Sequence, residues 1–361
     1  MKSRYRLMRL SIVSAAVLAA ASVETTQTAA AQAGKDFKVA YLPCGRVNDQ
    51  SWSQAGYEGV VAAKKELGVE TAYSESVPPA DIEAAARDYA TRGYNVVLLH
   101  CATFTDAGLK VAKDFPKTWF TVTSAFAVPP NVVSINLQQQ QGTFVAGVLA
   151  GMVTKSSRLG AILSYNTLGF NRQSEGFRLG ARFVNPKSEL AVTYLNNAED
   201  AAKAKEAALA QYDTGADVIL AATDQAANGV FRAGTERGRY VIAEYADQNA
   251  RAPNAILGSV VFEQAHIISS IIKSVVNGTA KGEVIEPGVK ERVGILAQNT
   301  ALLAKVPADA RECLQLILQS FDEGKMRIPD DRIIAKQNAA KIIDTASVVE
   351  GGKHPCLNKR S

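Results

Sequence analysis

The sequence has few of the side chains that enzymes and metal sites use most. It contains three histidines and four cysteines in 361 residues, and neither type shows the spacing of a zinc site. A Gly-x-Ser-x-Gly elbow, a Walker P-loop and a Gly-x-Gly-x-x-Gly motif are all missing. No two carboxylates stand at a spacing that indicates acid–base catalysis. These gaps weigh against an enzyme, and we expect no metal and no cofactor.

A concentration of charge of one sign is also missing. The formal net charge is +5, and the first 33 residues carry four basic residues and one acidic residue, which leaves +2 for the rest. No block of lysines and arginines stands out, so we expect no nucleic-acid partner. Beyond the N-terminal region, no apolar run approaches the length of a membrane-spanning helix.

The N-terminal residues have the pattern of an export signal. Four basic residues between positions 2 and 9 precede the apolar run Leu10–Val23, and a polar stretch then ends in Ala31-Gln32-Ala33. This small-x-small ending is typical of a signal-peptidase site, so we predict a cleavable signal peptide over residues 1–33. No cysteine lies at the cleavage point, and we therefore expect no lipid anchor and a location in the periplasm.

From residue 37 onward, short apolar runs alternate with longer amphipathic stretches. Apolar runs separated by helices indicate parallel sheets covered on both faces, which is an α/β architecture. The predicted strands are Lys38–Pro43, Glu70–Ser74, Asn95–His100, Trp119–Thr123, Val132–Ile135, Leu159–Leu163, Ala191–Tyr194, Asp217–Ala221, Tyr240–Ala243 and Ala255–Val261. The predicted helices are Gln54–Leu67, Asp81–Arg92, Asp106–Phe115, Thr143–Thr154, Glu175–Phe183, Asp200–Thr214, Gln225–Arg237, Gln264–Asn277 and Asp309–Glu323.

The length of the chain and a weak internal repeat predict two lobes. Roughly 330 residues follow the predicted signal, which is long for one hydrophobic core. Tyr89–Leu99 and Tyr212–Leu220 each combine a helix that ends near glycine, an Asn or Asp, and a buried strand. In parallel sheets, ligands bind at the carboxyl ends of the strands, where loops and helix N-termini expose N–H groups. The loops after the predicted strands are therefore the candidates for a ligand site.

Two of these loops lie in the first half of the chain. Asp49 and Trp52 follow the first strand and combine a hydrogen-bond acceptor with a flat apolar ring, which suits a planar heterocycle. The alternative is an ordinary helix cap beside a buried tryptophan. Phe104 follows the strand Asn95–His100 and is a third candidate, with a capping role for this loop as the alternative.

The second half contributes four candidates. Asp224 follows Asp217–Ala221 and can either accept a hydrogen bond from a ligand or cap its own helix. Tyr245 and Asp247 lie directly after Tyr240–Ala243, where packing of the strand needs neither polar nor aromatic residues. Phe262 comes directly after the last predicted strand, with a place in the hydrophobic core as the alternative.

The four cysteines allow three disulfide connectivities in an oxidising compartment. Cys44 and Cys101 each end a predicted strand in comparable βα units, and they would face each other if those strands are neighbours. Cys313 lies in a helical pattern and Cys356 in the C-terminal tail, so this pair would fasten the tail. The alternative is that the cysteines are buried and unbonded.

Several segments between residues 37 and 290 match one family in order and spacing, although no single segment is specific. They are Asn48–Gln54, Val111–Pro116, Thr143–Gly151, Gly176–Ala181, Gly215–Val218, Asp247-Gln248 and Gly258–Val261. In these segments the chain resembles the basic membrane protein (BMP, PnrA-like) family of ABC-transporter substrate-binding proteins. The resemblance implies a type I periplasmic-binding-protein fold, with two Rossmann-like lobes joined by three hinge crossings. It also implies a purine nucleoside as the usual ligand.

The sequence departs from this family where the ribose would bind. Nucleoside binders in the family carry an aspartate that holds ribose hydroxyls and a lysine after Ser-Val-Val, and this chain has Tyr245 and Phe262 at those positions. The departure favours a free purine base such as adenine. Trp52 and Tyr245 would stack on the base, and Asp49 and Asp224 would accept hydrogen bonds from its N–H groups. Asp247 would contact the ligand or only order its loop.

We predict a first lobe of residues 34–137 plus about 262–290, and a second lobe of residues 138–261. Residues 291–361 form a C-terminal segment that packs on the lobes and ends in a tail. The predicted partners are the ligand and ABC permease subunits, and we expect a monomer. The alternatives are a nucleoside or another planar solute as ligand, a sensory role in which the loaded protein docks on a membrane kinase, and a secreted nucleosidase.

Overall fold

The computed structural model of the protein describes residues 36–304 and 306–323, together with Lys325, Met326 and Ile328. These residues form two six-stranded sheets with helices on both faces. Successive side chains of a strand point to opposite faces, so Tyr41 packs in one core cluster and its neighbour Leu42 in another. We call the parts built on the two sheets the first lobe and the second lobe.

The sheet of the first lobe is parallel throughout. Its strands, in spatial order, are β2 (Glu70–Tyr73), β1 (Lys38–Pro43), β3 (Val96–His100), β4 (Trp119–Thr123), β5 (Val132–Ile135) and β11 (Glu283–Ile285). Its helices are α1 (Trp52–Leu67), α2 (Ile82–Thr91), α3 (Thr105–Asp114) and α8 (Ala265–Val276).

The sheet of the second lobe is parallel except for one edge strand. Its strands, in spatial order, are β7 (Glu189–Tyr194), β6 (Arg158–Leu163), β8 (Val218–Ala222), β9 (Tyr240–Tyr245), β10 (Ile256–Phe262) and the antiparallel β12 (Val293–Gln298). Its helices are α4 (Gln139–Val153), α5 (Leu168–Val184), α6 (Ala201–Asp213) and α7 (Ala227–Arg237), and α9 (Thr300–Leu303) and α10 (Ala308–Asp322) follow β12.

The chain passes between the two lobes three times. The passages follow β5, β10 and β11, because each of these strands is succeeded by an element that belongs to the other lobe. This connectivity confirms the predicted two-lobed α/β fold. It also places both sheets so that the loops after their strands can meet.

The ten predicted strands and nine predicted helices are present, most with ends shifted by one or two residues. Two strands were missed: β11, which has only three residues, and β12, which lies after residue 290, where only a helix was predicted. Helices α4 and α5 also begin earlier than predicted. The N-terminal parts that were missed contain the polar residues Gln139, Gln140, Gln173 and Ser174, all of which are buried.

Helices α4 and α5 approach each other so closely that glycine is required at the contact. A methyl group at Gly180 would overlap the carbonyl oxygen of Phe144, and one at Gly147 would overlap the carbonyl oxygen of Phe177. Two of the segments that resemble the family, residues 143–151 and 176–181, therefore serve this helix packing. They are a structural signature of the second lobe, and ligand binding does not explain them.

We predict that Gly180→Ala lowers the free energy of unfolding by about 1–3 kcal/mol, because the added methyl group forces the two backbones apart. Gly169→Ala is the matched control in the same helix, since the nearest atom there is the flexible end of the Gln139 side chain at 3.0 Å. The free energy of unfolding of Gly169→Ala should equal that of the wild type or be slightly higher. Urea unfolding of both variants measures the difference, and equal stabilities would contradict this view of the contact.

The structure pairs Cys44 with Cys101 in a disulfide whose Cα atoms are 5.1 Å apart. These cysteines follow β1 and β3, which are hydrogen-bonded neighbours with Pro43 opposite His100. The bond therefore ties together two loops at the carboxyl edge of the first sheet. The other predicted pair includes Cys356, which lies outside the described residues.

Candidate functional site

The two lobes touch where the carboxyl ends of their sheets face each other. The Ser51 hydroxyl, just before α1, donates a 2.6 Å hydrogen bond to the carboxylate of Asp224 in the loop after β8. Beside it, the Gln225 side-chain amide donates to the backbone carbonyl of Asp49. In α/β sheets this edge is where ligands bind. We call the group formed here by Ser51, Trp52, His100, Asp224, Glu244 and Tyr245 the inter-lobe site.

Asp49 caps helix α1. Its carboxylate accepts hydrogen bonds from the backbone N–H groups of Ser51, Ser53 and Gln54 at 2.8–3.0 Å. The prediction that Asp49 accepts from a ligand is therefore replaced by the capping alternative, because its acceptors already hold the first turn of the helix. The consequence for the site is indirect: the cap fixes Ser51 and Trp52 in place.

Asp224 is held opposite the N-terminus of α1, where the Ser51 hydroxyl and the Trp52 backbone N–H favour a negative charge. Its backbone has a φ of 45°, a conformation that non-glycine residues rarely adopt. The pKa of Asp224 is raised to about 6. Burial is the main cause, hydrogen bonds from Ser51 and the Trp52 backbone oppose the rise, and the charges of Asp49 and Glu199 add to it. A carboxylate with this pKa changes its charge close to neutral pH.

Aromatic rings from both lobes meet beside these groups. The Trp52 indole stacks on the His100 imidazole, with centroids 4.7 Å apart and planes 13° apart, and it donates a 3.1 Å hydrogen bond to the His100 carbonyl. Tyr245 meets Trp52 edge-on, at 6.0 Å and 79°. Phe262 supports Tyr245 from behind, at 5.6 Å and 63°. Trp52 and Tyr245 thus come together as expected, but as two walls at a right angle instead of two parallel plates.

Tyr245 has two further features of a functional position. Its φ is 75°, so the backbone is strained at the end of β9, where the ring turns toward the other lobe. Its hydroxyl is buried, and the amide of Gln173 on α5 lies at the limit of hydrogen-bond distance, 3.5 Å. The tyrosine hydroxyl is therefore only weakly satisfied by the protein.

His100 is a site residue that the sequence analysis did not select. Burial lowers its pKa to about 4, so the imidazole is neutral at pH 7. Among the described residues, its Nε2 atom has no hydrogen-bond partner. The feature of the sequence that could have pointed to His100 is its position at the end of an otherwise apolar strand, where a buried polar ring is unusual.

Buried polar atoms without partners collect at this edge of the second sheet. Ser164, Thr223 and Glu244 lie at or just after the ends of β6, β8 and β9, which are adjacent strands, and none of their side-chain oxygen atoms has a partner within the described part of the chain. The same is true of the Gln173 side-chain oxygen. Each such atom costs about 1–3 kcal/mol if nothing else hydrogen-bonds to it. These groups are therefore available to a ligand.

Two predicted residues are not brought to the inter-lobe site. Phe104 is 1% exposed and packs in the core cluster with Leu42, on the sheet face opposite to the one that Tyr41 covers. Asp247 is exposed, and its carboxylate accepts a 3.0 Å hydrogen bond from the backbone of Asn249, so it orders the loop. In both cases the ordinary structural role accounts for the residue.

The described residues contain no group of three or more His, Cys, Asp or Glu side chains that could hold a metal ion. None of the helices in this part of the chain combines the length and the apolar character that crossing a membrane requires.

Two lobes with parallel sheets, joined by three crossings and carrying a polar and aromatic site between them, define the class of two-lobed binding proteins. A solved ABC-transporter solute-binding protein from Aeropyrum pernix has the same fold. It superimposes with a TM-score of 0.77 at 20% identity, over 87% of this chain and all of that one.

The chain belongs to the family of PnrA-like ABC transporter substrate-binding proteins (Bmp), whose model matches residues 37–319. One relative is the purine-binding protein BAB2_0673 of Brucella abortus, with 29% identity over 315 residues, 86% of this chain and 88% of the relative. Another is the nucleoside-binding protein BmpA of Lactococcus lactis, with 24% identity over 299 residues, 76% of this chain and 85% of the relative.

We predict that Asp224→Asn changes stability in a pH-dependent way. The pKa of Asp224 is raised from its ordinary 3.8 to about 6 in the folded protein. Its protonated form is therefore favoured by the fold, and this contribution is lost as the pH rises through 6. The variant should match the wild type most closely below pH 3.8, and its advantage should grow as the pH rises from 3.8 through 6 and be complete at pH 8, as measured by thermal unfolding. Asp247→Asn, at an exposed carboxylate, is the control, and a difference for Asp224→Asn that is constant with pH would contradict the prediction.

Proposed function

We propose that this protein is the solute-binding component of an ABC importer and that it carries a purine base, adenine or a close relative, between its lobes. In this role it binds the ligand in the periplasm, as a monomer, and delivers it to the permease subunits. The observation that supports the proposal best is the combination, in one place, of aromatic rings from both lobes with buried polar groups that have no protein partner.

This combination favours a planar heterocycle. The rings of Trp52 and Tyr245 offer apolar area from two directions, and a flat ligand on one ring would meet the other with its edge. Asp224 can accept from a ligand N–H, and Thr223 and Ser164 can donate or accept. A purine base presents both a π face and several ring nitrogens, so it can use both kinds of group.

A free base is favoured over a nucleoside because of Tyr245 and Phe262. Both rings are buried, and they occupy the positions where nucleoside binders of the family carry the aspartate and lysine. Ribose hydroxyls placed against these rings would lose hydrogen bonds at a cost of about 1–3 kcal/mol each. The name of the Brucella relative, a purine-binding protein, agrees with a purine ligand. The Lactococcus relative is named a nucleoside-binding protein, so nucleosides are included among the ligands to be tested.

The experiment is calorimetry on protein that has been unfolded and refolded to remove any bound ligand. Adenine, hypoxanthine, adenosine and guanosine are titrated separately. We expect the bases to bind at least about tenfold more tightly than the nucleosides, which corresponds to about 1.4 kcal/mol, the cost of one unpaired hydroxyl. Tighter binding of the nucleosides would overturn the choice of a base, and no binding of any of the four would overturn the purine proposal.

We predict that Trp52→Ala weakens the binding of adenine by about 1–3 kcal/mol, the loss of one stacking partner. The other tryptophan, Trp119, begins β4 at the opposite end of the strand from the inter-lobe site, which makes it a matched control. Trp119→Ala should leave the adenine affinity unchanged in protein that thermal unfolding shows to be folded. Equal losses in both variants would mean that Trp52 acts only through stability.

A further inference from the structure

Glu244 is the least satisfied polar side chain of the inter-lobe site. It lies in β9 opposite Val260 of β10, its side chain is 0% exposed, and Tyr245 follows it directly. Within the described residues, neither oxygen of its carboxyl group has a hydrogen-bond partner. A buried carboxyl group without hydrogen bonds destabilises the folded protein, and no contact among the described residues offsets this destabilisation.

The surroundings of Glu244 favour its neutral form. Burial raises its pKa well above the ordinary value, and the charge of Asp224 raises it further. Glu244 pairs with the uncharged Val260 of β10, and β8 on its other side ends in the uncharged Ala222. The next residue, Tyr245, is itself uncharged, because burial raises its pKa and the carboxyl groups of Asp224 and Glu244 add to the rise. No cation among the described residues lowers the pKa of Glu244.

A neutral carboxyl group has a specific hydrogen-bonding pattern. It presents one O–H donor and one C=O acceptor side by side in a single plane. The complementary surface is an edge with an acceptor beside an N–H donor. Adenine has such an edge, where a ring nitrogen adjoins the amino group, and hypoxanthine has one, where a carbonyl oxygen adjoins a ring N–H.

We infer that Glu244 recognises its ligand as a protonated acid. Its O–H donates to a ring nitrogen or carbonyl oxygen of the ligand, and its carbonyl oxygen accepts from the adjacent N–H. This inference rests on the proposed function and deepens it, because it names the residue that selects bases by their hydrogen-bonding edge. It excludes planar ligands that carry no N–H donor, such as 1,3,7-trimethylxanthine.

The test compares Glu244→Gln with Glu244→Met. The glutamine amide keeps a donor beside an acceptor, so Glu244→Gln should bind adenine within about threefold of the wild type. Methionine has a similar length but neither group, so Glu244→Met should bind adenine at least about tenfold more weakly, the effect of one lost hydrogen-bonded pair. Calorimetry with adenine, and with 1,3,7-trimethylxanthine as the negative probe, gives both values.

The unliganded variants provide a second readout. Glu244→Met removes a buried polar group that has no partner, so its melting temperature without ligand should be higher than that of the wild type, while its response to adenine should be smaller. A residue with a purely structural role would show lower stability and unchanged affinity. Higher stability together with weaker binding is the signature expected of a residue kept for its ligand.

The outcomes separate the inference from the proposed function. If the wild type binds none of the purines, the proposed function fails. If the wild type binds adenine and Glu244→Met binds it equally well, the inference alone is overturned. If Glu244→Gln loses as much binding as Glu244→Met, an ionised carboxylate is needed, and the inference is overturned. Tight binding of 1,3,7-trimethylxanthine to the wild type would overturn the inference as well.

Discussion

The constraint on which this structure depends is that buried polar atoms must be hydrogen-bonded. Many buried polar groups that serve the fold meet this requirement. The amide of Asn131 donates to three backbone carbonyls at 2.9–3.1 Å. The carboxylate of Asp217 accepts from the Thr154 hydroxyl and from two backbone N–H groups at 2.6–3.0 Å. At the carboxyl ends of β3, β6, β8 and β9 the requirement is not met by the described residues. The clustering of such atoms at the ends of adjacent strands marks this place as the candidate ligand site.

The rest of the fold supplies rigidity around these strand ends. In the second lobe, glycines let α4 and α5 pack backbone against backbone, and in the first lobe a disulfide joins the loops after β1 and β3. The Asp49 carboxylate caps α1, and this cap sets the positions of Ser51 and Trp52. Strained backbone occurs at Asp224, in the loop after β8, and at Tyr245, the last residue of β9. A binding site held in this way is preorganised, which reduces the entropic cost of binding.

Much of the fold follows from the sequence because its strands are apolar runs, and such runs are visible without a structure. Strand β11 was missed because three residues carry too little pattern. The N-terminal parts of α4 and α5 were missed because their polar residues resemble those of a loop. The aromatic part of the site was predictable, since Tyr245 ends a strand and Trp52 lies in the loop and helix start that follow β1. The polar part was less so. A capping aspartate such as Asp49 and a ligand-binding one have the same sequence context, and only the structure shows which N–H groups they meet. Glu244 was overlooked because burial of a carboxyl group is a three-dimensional fact.

The most direct test of the account is a crystal structure of the protein with adenine. The account predicts that adenine lies between the lobes, with its face on one of the rings of Trp52 and Tyr245 and with one edge about 3 Å from the Glu244 carboxyl group. Adenine bound elsewhere, or bound between the lobes with the Glu244 oxygens still lacking partners, would contradict it.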